Sequence, residues 1–80
     1  MAQFRLTISL PDSPGSLGAV ASAIGFAGGN ITSLVITEHG VDTANDEIVV
    51  AIPGSDPTDL LNVLNSMGGV KVLTVTRVES

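Results

Sequence analysis

The chain has no cysteine, no tryptophan and no tyrosine, and its aromatic residues are two phenylalanines. Without cysteine there is no disulfide to staple a small fold and no thiolate to hold a metal. A single histidine, His39, cannot build a multi-histidine metal site. With so few aromatics the core is expected to be aliphatic. Positive charge is equally scarce: Arg5, Lys71 and Arg77 stand against eight acidic residues, for a net charge of −5. Nucleic-acid binding relies on clustered Lys and Arg that neutralise phosphates, so it is excluded as a conventional activity. No apolar run approaches the ~20 residues of a membrane span. The first residues lack the basic and then apolar regions of a secretory signal. These absences lead to the expectation of a cytoplasmic protein with neither nucleic acid nor membrane as a partner.

What is present is aliphatic. Of 80 residues, 44% are hydrophobic, and the mean hydropathy is positive. The length fits a single domain over residues 1–80. A chain this short buries only ~60% of the surface its unfolded form exposes. Disulfides and metals being absent from the sequence, self-association is the expected source of extra stability.

The run QFRLTISL alternates strictly, with Phe4, Leu6, Ile8 and Leu10 on one face and Gln3, Arg5, Thr7 and Ser9 on the other. This predicts a half-buried strand ended by Pro11. Ser13 is a suitable N-cap and Pro14 a suitable first residue for a helix. Leu17, Val20, Ala21 and Ile24 then repeat at helical spacing, and Gly28-Gly29 stops it. The helix's other face is small: Gly18, Ala19, Ser22 and Ala23. Asn30–His39 reads as a second strand, with Ile31 and Val35 on one face and Leu34 and Ile36 on the other. Gly40 and the tract VDTAND are expected to form a hairpin connection. EIVVAI, apolar on both faces, reads as a central third strand. After Pro53-Gly54, Asp56 caps a second helix carrying Leu60, Val63, Leu64 and Met67 on one face. Gly68-Gly69 ends that helix, and Val70–Val78 is the last strand.

The order is βαββαβ, an α+β arrangement. Two interleaved strand–helix–strand units give a ferredoxin-like fold: a four-stranded antiparallel sheet in order 4-1-3-2 with both helices on one face. Several uses of this topology lack their chemistry here. RNA recognition needs stacking aromatics. Metallochaperones and ferredoxins need cysteines. The loop PDSPGS has no basic residue for phosphate ester chemistry. For the serines, His39 is the sole available base, and it falls at a turn. No enzyme activity and no cofactor are expected. Glu38, His39, Asp42, Asp46 and Glu47 are read as a solvated acidic turn; a divalent-cation sensor is the competing reading, though the spacing matches no calcium loop. What remains is the first helix start. Its leading N–H groups have no partners within the helix, Gly15 leaves them accessible, and the helix dipole favours an anion such as a carboxylate. The competing reading is that Asp12 or Ser13 caps them internally.

The strand FRLTISL, the turn PDSPGSLG, the helix ending AGGNI and the closing GGVKVLTVTR together resemble the ACT domain, a small regulatory module of amino-acid metabolism. The likeness covers nearly the whole chain. It extends to the ACT domains of small actinobacterial amino-acid-binding proteins and of some malic enzymes. The spacing of Asp12, Pro14, Gly15 and Leu17 from Gly28, Asn30 and Ile31 fits that family. The resemblance implies a homodimer that binds a free amino acid at the subunit interface and signals allosterically to an attached or partner enzyme. The ligand would lie between the first-helix loop of one subunit and the second strand of the other. Carried over, the ligand-binding residues are Asp12, Ser13, Pro14, Gly15, Ser16 and Leu17 in the loop, and Asn30, Ile31 and Thr32 on the strand. Backbone N–H groups of Gly15, Ser16 and Leu17 would hold the ligand carboxylate. Asn30 or Asp12 would take its ammonium, and Leu17, Ile31 and Leu34 would line the side-chain pocket. At Asp12 many amino-acid-binding members carry Asn; an acid there either pairs with the ammonium or repels the carboxylate. The alternative reading is a ligand-free structural dimerisation module.

Overall fold

The computed structural model describes residues 1–78, the side chains of Glu38 and His39 excepted. Six elements follow in order: β1 (Ala2–Pro11), α1 (Ser16–Phe26), β2 (Asn30–His39), β3 (Thr43–Ile52), α2 (Thr58–Ser66) and β4 (Lys71–Val78). The sheet runs β2-β3-β1-β4, with every neighbouring pair antiparallel. This is the expected ferredoxin-like order, with β2 and β4 at the edges. None of the described helices is long and apolar enough to cross a membrane.

The alternation of β1 translates directly into burial. Ala2, Phe4, Leu6, Ile8 and Leu10 are buried, and they meet Ile48, Val50 and Ile52 of β3 under the helices. Val20 and Ile24 of α1 and Leu60 and Leu64 of α2 close the core from above. Apart from Phe4 this core is aliphatic. The α1 helix packs on β1 and β2, and α2 on β4. At its C-terminus α1 ends in a Schellman arrangement: Gly28 N–H donates to Gly25 O and Gly29 N–H to Ile24 O, with Gly28 at φ 85°. Gly29 is also a point of close approach. A Cβ there would sit 2.8 Å from Ile24 Cγ2 and 2.9 Å from Val50 Cγ2.

Two parts of the sheet depart from the sequence expectation. First, β2 does not present apolar residues on both faces equally. Its register against β3 shifts at Thr32 and again at Thr37. Each extra residue reverses the phase of the strand. Ile31 therefore pairs with Val50, Leu34 with Ile48 and Ile36 with Asp46, so all three share the helix side. Val35 points to the open side, opposite Glu47. At each shift a threonine hydroxyl donates across to β3: Thr32 Oγ1 to Val49 O (3.3 Å) and Thr37 Oγ1 to Asn45 O (3.0 Å). Second, the tract expected to be a hairpin connection is mostly strand. β3 begins at Thr43, and Gly40 N–H donates to Thr43 O across a tight turn.

Candidate functional site

The loop between β1 and α1 is fixed at both ends. Pro11 is the last β1 residue and pairs with Thr43, and Asp12 N–H donates to Asp42 O at 2.9 Å. Ser16 N–H then donates to Ser13 O at 3.2 Å, closing a turn through Pro14 and Gly15. Gly15 sits at φ 85°, a conformation that glycine adopts without steric penalty, and a Cβ there would meet nothing within 4 Å. The position is open to solvent.

The helix therefore starts at Ser16 with Gly15 as N-cap, two residues later than the Ser13 cap and Pro14 start expected from the sequence. The reason is local. The Ser13 and Ser16 hydroxyls bond each other at 2.8 Å, so Ser13 is drawn into the turn rather than into a cap. The first helical bond is Ala19 N–H to Gly15 O at 2.9 Å. Leu17 and Gly18 carry N–H groups ahead of it, the position where helix donors lack helical acceptors. Of the three donors expected from the sequence, Ser16 N–H is the one turned back to Ser13.

Beside this loop lies a small cleft of about 70 Å³. Asp12, Ser13, Ser16 and Leu17, four of the expected residues, line it. Pro14 and Gly15 shape the turn without lining the cleft. Its apolar wall comes from Leu10, Ile36 and Ala44. Its remaining charged group is Asp46, which is only 2% exposed. The sequence reading placed Asp46 in a solvated acidic turn. The structure instead puts it on β3, in the same phase as buried Ala44, Ile48, Val50 and Ile52, with Ile8 and Ile36 as its cross-strand neighbours. Extending the alternation of EIVVAI back through the polar tract was the signal that would have found it. Glu47 faces the open side of the sheet, where its Oε1 lies 3.3 Å from Arg5 Nε, and Asp42 is exposed at the turn. The expected acidic cluster is thus divided among three environments; the side chains of Glu38 and His39 lie outside the described residues. Among the described residues no group of three His, Cys, Asp or Glu is arranged to hold a metal ion.

The remaining expected residues, Asn30, Ile31 and Thr32, are not near the cleft within one chain. β2 and β1 flank β3 and run the same way. Asn30 is level with Ala51 and thus with Gln3, and Ile31 is level with Phe4. From Phe4 to Asp12 is about 27 Å at ~3.4 Å per residue. Loop and strand start therefore occupy opposite ends of the sheet.

A comparison with curated proteins returns no match. Among solved structures, the chain is similar to a crystal structure of an unknown protein from Galdieria sulphuraria, at 16% identity and a TM-score of 0.83. That alignment covers 99% of this chain and 46% of the other, so the chain spans about half of that protein. It is also similar to an ACT domain protein from Streptococcus pneumoniae, at 23% identity and a TM-score of 0.69, over 95% of this chain and 89% of that one. Both likenesses concern the fold. The sequence itself matches the model of the TTHA0829-like ACT domain over residues 3–76. ACT domains are regulatory, non-catalytic modules that generally bind amino acids. With the fold, the strand order and this match along nearly its full length, the chain belongs to the TTHA0829-like ACT domain family.

Proposed function

We propose that this protein is a cytoplasmic amino-acid sensor that works as a homodimer. The ligand lies between the Asp12–Leu17 loop of one protomer and Asn30–Thr32 of the other. The observation that supports this reading is that the two groups of residues expected to bind the ligand lie at opposite ends of the sheet within one chain. An antiparallel pairing of two β2 edges about a dyad at mid-strand brings the start of one β2 beside the end of the other. The partner subunit's Asn30 then approaches the loop that its own chain keeps far away. In such an isologous interface the same completion occurs twice.

The two sheet edges support this choice. β2 carries one acidic residue, Glu38, next to its end and none over residues 30–37, whereas the shorter β4 carries Lys71 and Arg77 at and near its two ends. Uncharged edges invite pairing, and charged edges resist it. The exposed residues of α1 are the small Gly18, Ala19, Ser22 and Gly25 and, at its end, Phe26, and the helix Ser16–Phe26 has no charged residue at all. Small side chains allow a second backbone close approach.

In this reading the N–H groups of Leu17 and Gly18 bind the ligand carboxylate, helped by the helix dipole. A small or branched side chain lies against Ile36 at the mouth of the cleft. A ligand that prefers one arrangement of the dimer shifts the equilibrium toward it, and the change passes to a partner enzyme or further domain. The expected affinity is micromolar to millimolar, about −8.2 to −4.1 kcal/mol, which a ligand of roughly six to ten heavy atoms reaches within the ceiling of ~1.5 kcal/mol per atom.

The test is thermal unfolding against a panel of the common amino acids. A ligand at ~100 times its Kd adds about 2.7 kcal/mol to the folded state. At ~4–8 °C per kcal/mol, Tm rises by roughly 10 °C or more. One or a few related amino acids should give such a shift. A flat response across the panel would favour the ligand-free dimerisation module instead.

A further inference from the structure

The carboxylate of Asp46 is the least expected group in this core. It is 2% exposed, on a central strand, on the face otherwise given to Ala44, Ile48, Val50 and Ile52. Burying a charge is costly unless specific partners compensate, and an aliphatic residue would pack this position without that cost. Yet Asp46 is not sealed among the core residues. It reaches the cleft beside the α1 start, together with Leu10, Ser16 and Leu17. The cleft lining thus combines residues of the helix start, Ser16 and Leu17, with a buried carboxylate.

We infer that Asp46 is the group that recognises the ligand's ammonium, and so makes the site select α-amino acids over carboxylates without the amino group. The inference rests on the amino-acid-sensor reading and adds to it the residue that sets the ligand class. Size agrees with this assignment. A water needs ~10–15 Å³ of such space, so 70 Å³ holds about five or six small atoms. An amino-acid head group, with its nitrogen, Cα and carboxylate, has five. The head group fits the cleft, and the side chain extends out of it past Ile36 toward the edge of the sheet. Charge agrees as well. In a chain of net charge −5, a cleft holding Asp12 and Asp46 repels a simple carboxylate and accepts a zwitterion, whose ammonium answers the buried acid. A charge-assisted N–H···O bond in a nearly dry site is stronger than a neutral one, and removing the amino group leaves the buried acid without that bond.

The experiment compares matched pairs on the full chain by calorimetry and by thermal shift. Each amino acid that binds is tested beside the 2-hydroxy acid with the same side chain, such as L-alanine with L-lactate and L-valine with 2-hydroxyisovalerate. The wild type should prefer the amino acid by at least about tenfold, and Asp46→Asn should reduce that preference to less than about threefold. Asp46→Ser serves as a second small polar variant if the amide does not fold. A purely structural Asp46 would change Tm but leave the preference as it was, and that result overturns the inference. So does a wild type that binds both members of a pair alike, or a loss of preference in Asp12→Asn while Asp46→Asn stays selective. A wild type that binds no amino acid overturns the sensor reading along with this one, whereas the other failures leave the sensor reading standing.

Discussion

The edge-pairing model makes its sharpest prediction at Val35. This residue is 53% exposed and lies on the open side of the sheet opposite Glu47, itself beside Arg5. Leu34, the neighbouring choice, is half-buried and packs on the core opposite Ile48, so a charge there would unfold the protomer and say nothing about the interface. Val35→Lys is gentler. It loses roughly half of a valine's burial, about 0.7–1.5 kcal/mol. It regains part of this through the lysine stem and a cross-strand pair with Glu47, worth ~0.2–1 kcal/mol. The protomer's own stability should change by less than about 1 kcal/mol.

The dimer should respond differently. A dyad at Val35 sets both copies of residue 35 directly opposite, about 4.5–5.5 Å apart, and a dyad at Leu34 sets them diagonally, about 7–8 Å apart, on like faces of the two β2 strands in both cases. Two like charges at an intermediate ~6 Å, with an effective dielectric between ~20 and ~40, repel by about 1.4–2.8 kcal/mol. The dimer dissociation constant should rise tenfold to hundredfold. Sedimentation equilibrium over a concentration series measures it, with circular dichroism to confirm that the protomer stays folded. Leu73→Lys on β4, at a residue 50% exposed, is the matched control and should leave dimerisation unchanged. An unchanged dimer in Val35→Lys, or dissociation in Leu73→Lys, would refute pairing through β2.

Two further outcomes follow from the protomer alone. Gly29→Ala places a Cβ 2.8–2.9 Å from methyl groups of Ile24 and Val50, and the forced repacking should cost ~1–3 kcal/mol, lowering Tm by roughly 4–8 °C per kcal/mol; an unchanged melting curve would mean that both side chains move aside freely. Asp56 is exposed, and the Thr58 hydroxyl and N–H donating to its Oδ1 at 2.6 and 2.9 Å hold its pKa below the usual 3.8. A carboxyl with a lowered folded-state pKa contributes stability above its ordinary value and loses it as pH falls through the folded value. Asp56→Asn should therefore be less stable than wild type near neutral pH, with the gap closing in acid below 3.8; a gap of constant size across a urea-melt pH series would show that the charge is not its source.

The fold was legible where local pattern and burial agree. The strict alternation of β1, the helical spacing of Val20 and Ile24, and the paired glycines after each helix were enough for element order and topology. The phase of β2 was not, because a period of two assumes an unbroken ladder. Ile31-Thr32 and Ile36-Thr37 each insert one residue, and the threonine hydroxyls that bond across these shifts become recognisable only once the pairing with β3 is known. The loop that lines the cleft was legible for a related reason: it is local in sequence, whereas its proposed counterpart at Asn30–Thr32 would meet it only through a second chain.

Asp46 escaped for the opposite reason. The polar composition of VDTAND outweighed the alternation running through it from Ala44 to Ile52, and composition is the weaker signal of the two wherever strand pairing is long. Thr43 pairs with Pro11 and Ala44 with Leu10, so the strand begins well inside the tract that looked like a turn. An acid held in an aliphatic phase breaks the pattern that organises the rest of the sheet. Sequences that specify a fold tend to break such patterns at functional positions, where a local loss serves binding. That this break opens onto the cleft at the helix start, and not onto solvent or the sealed core, is what ties the exception to the site.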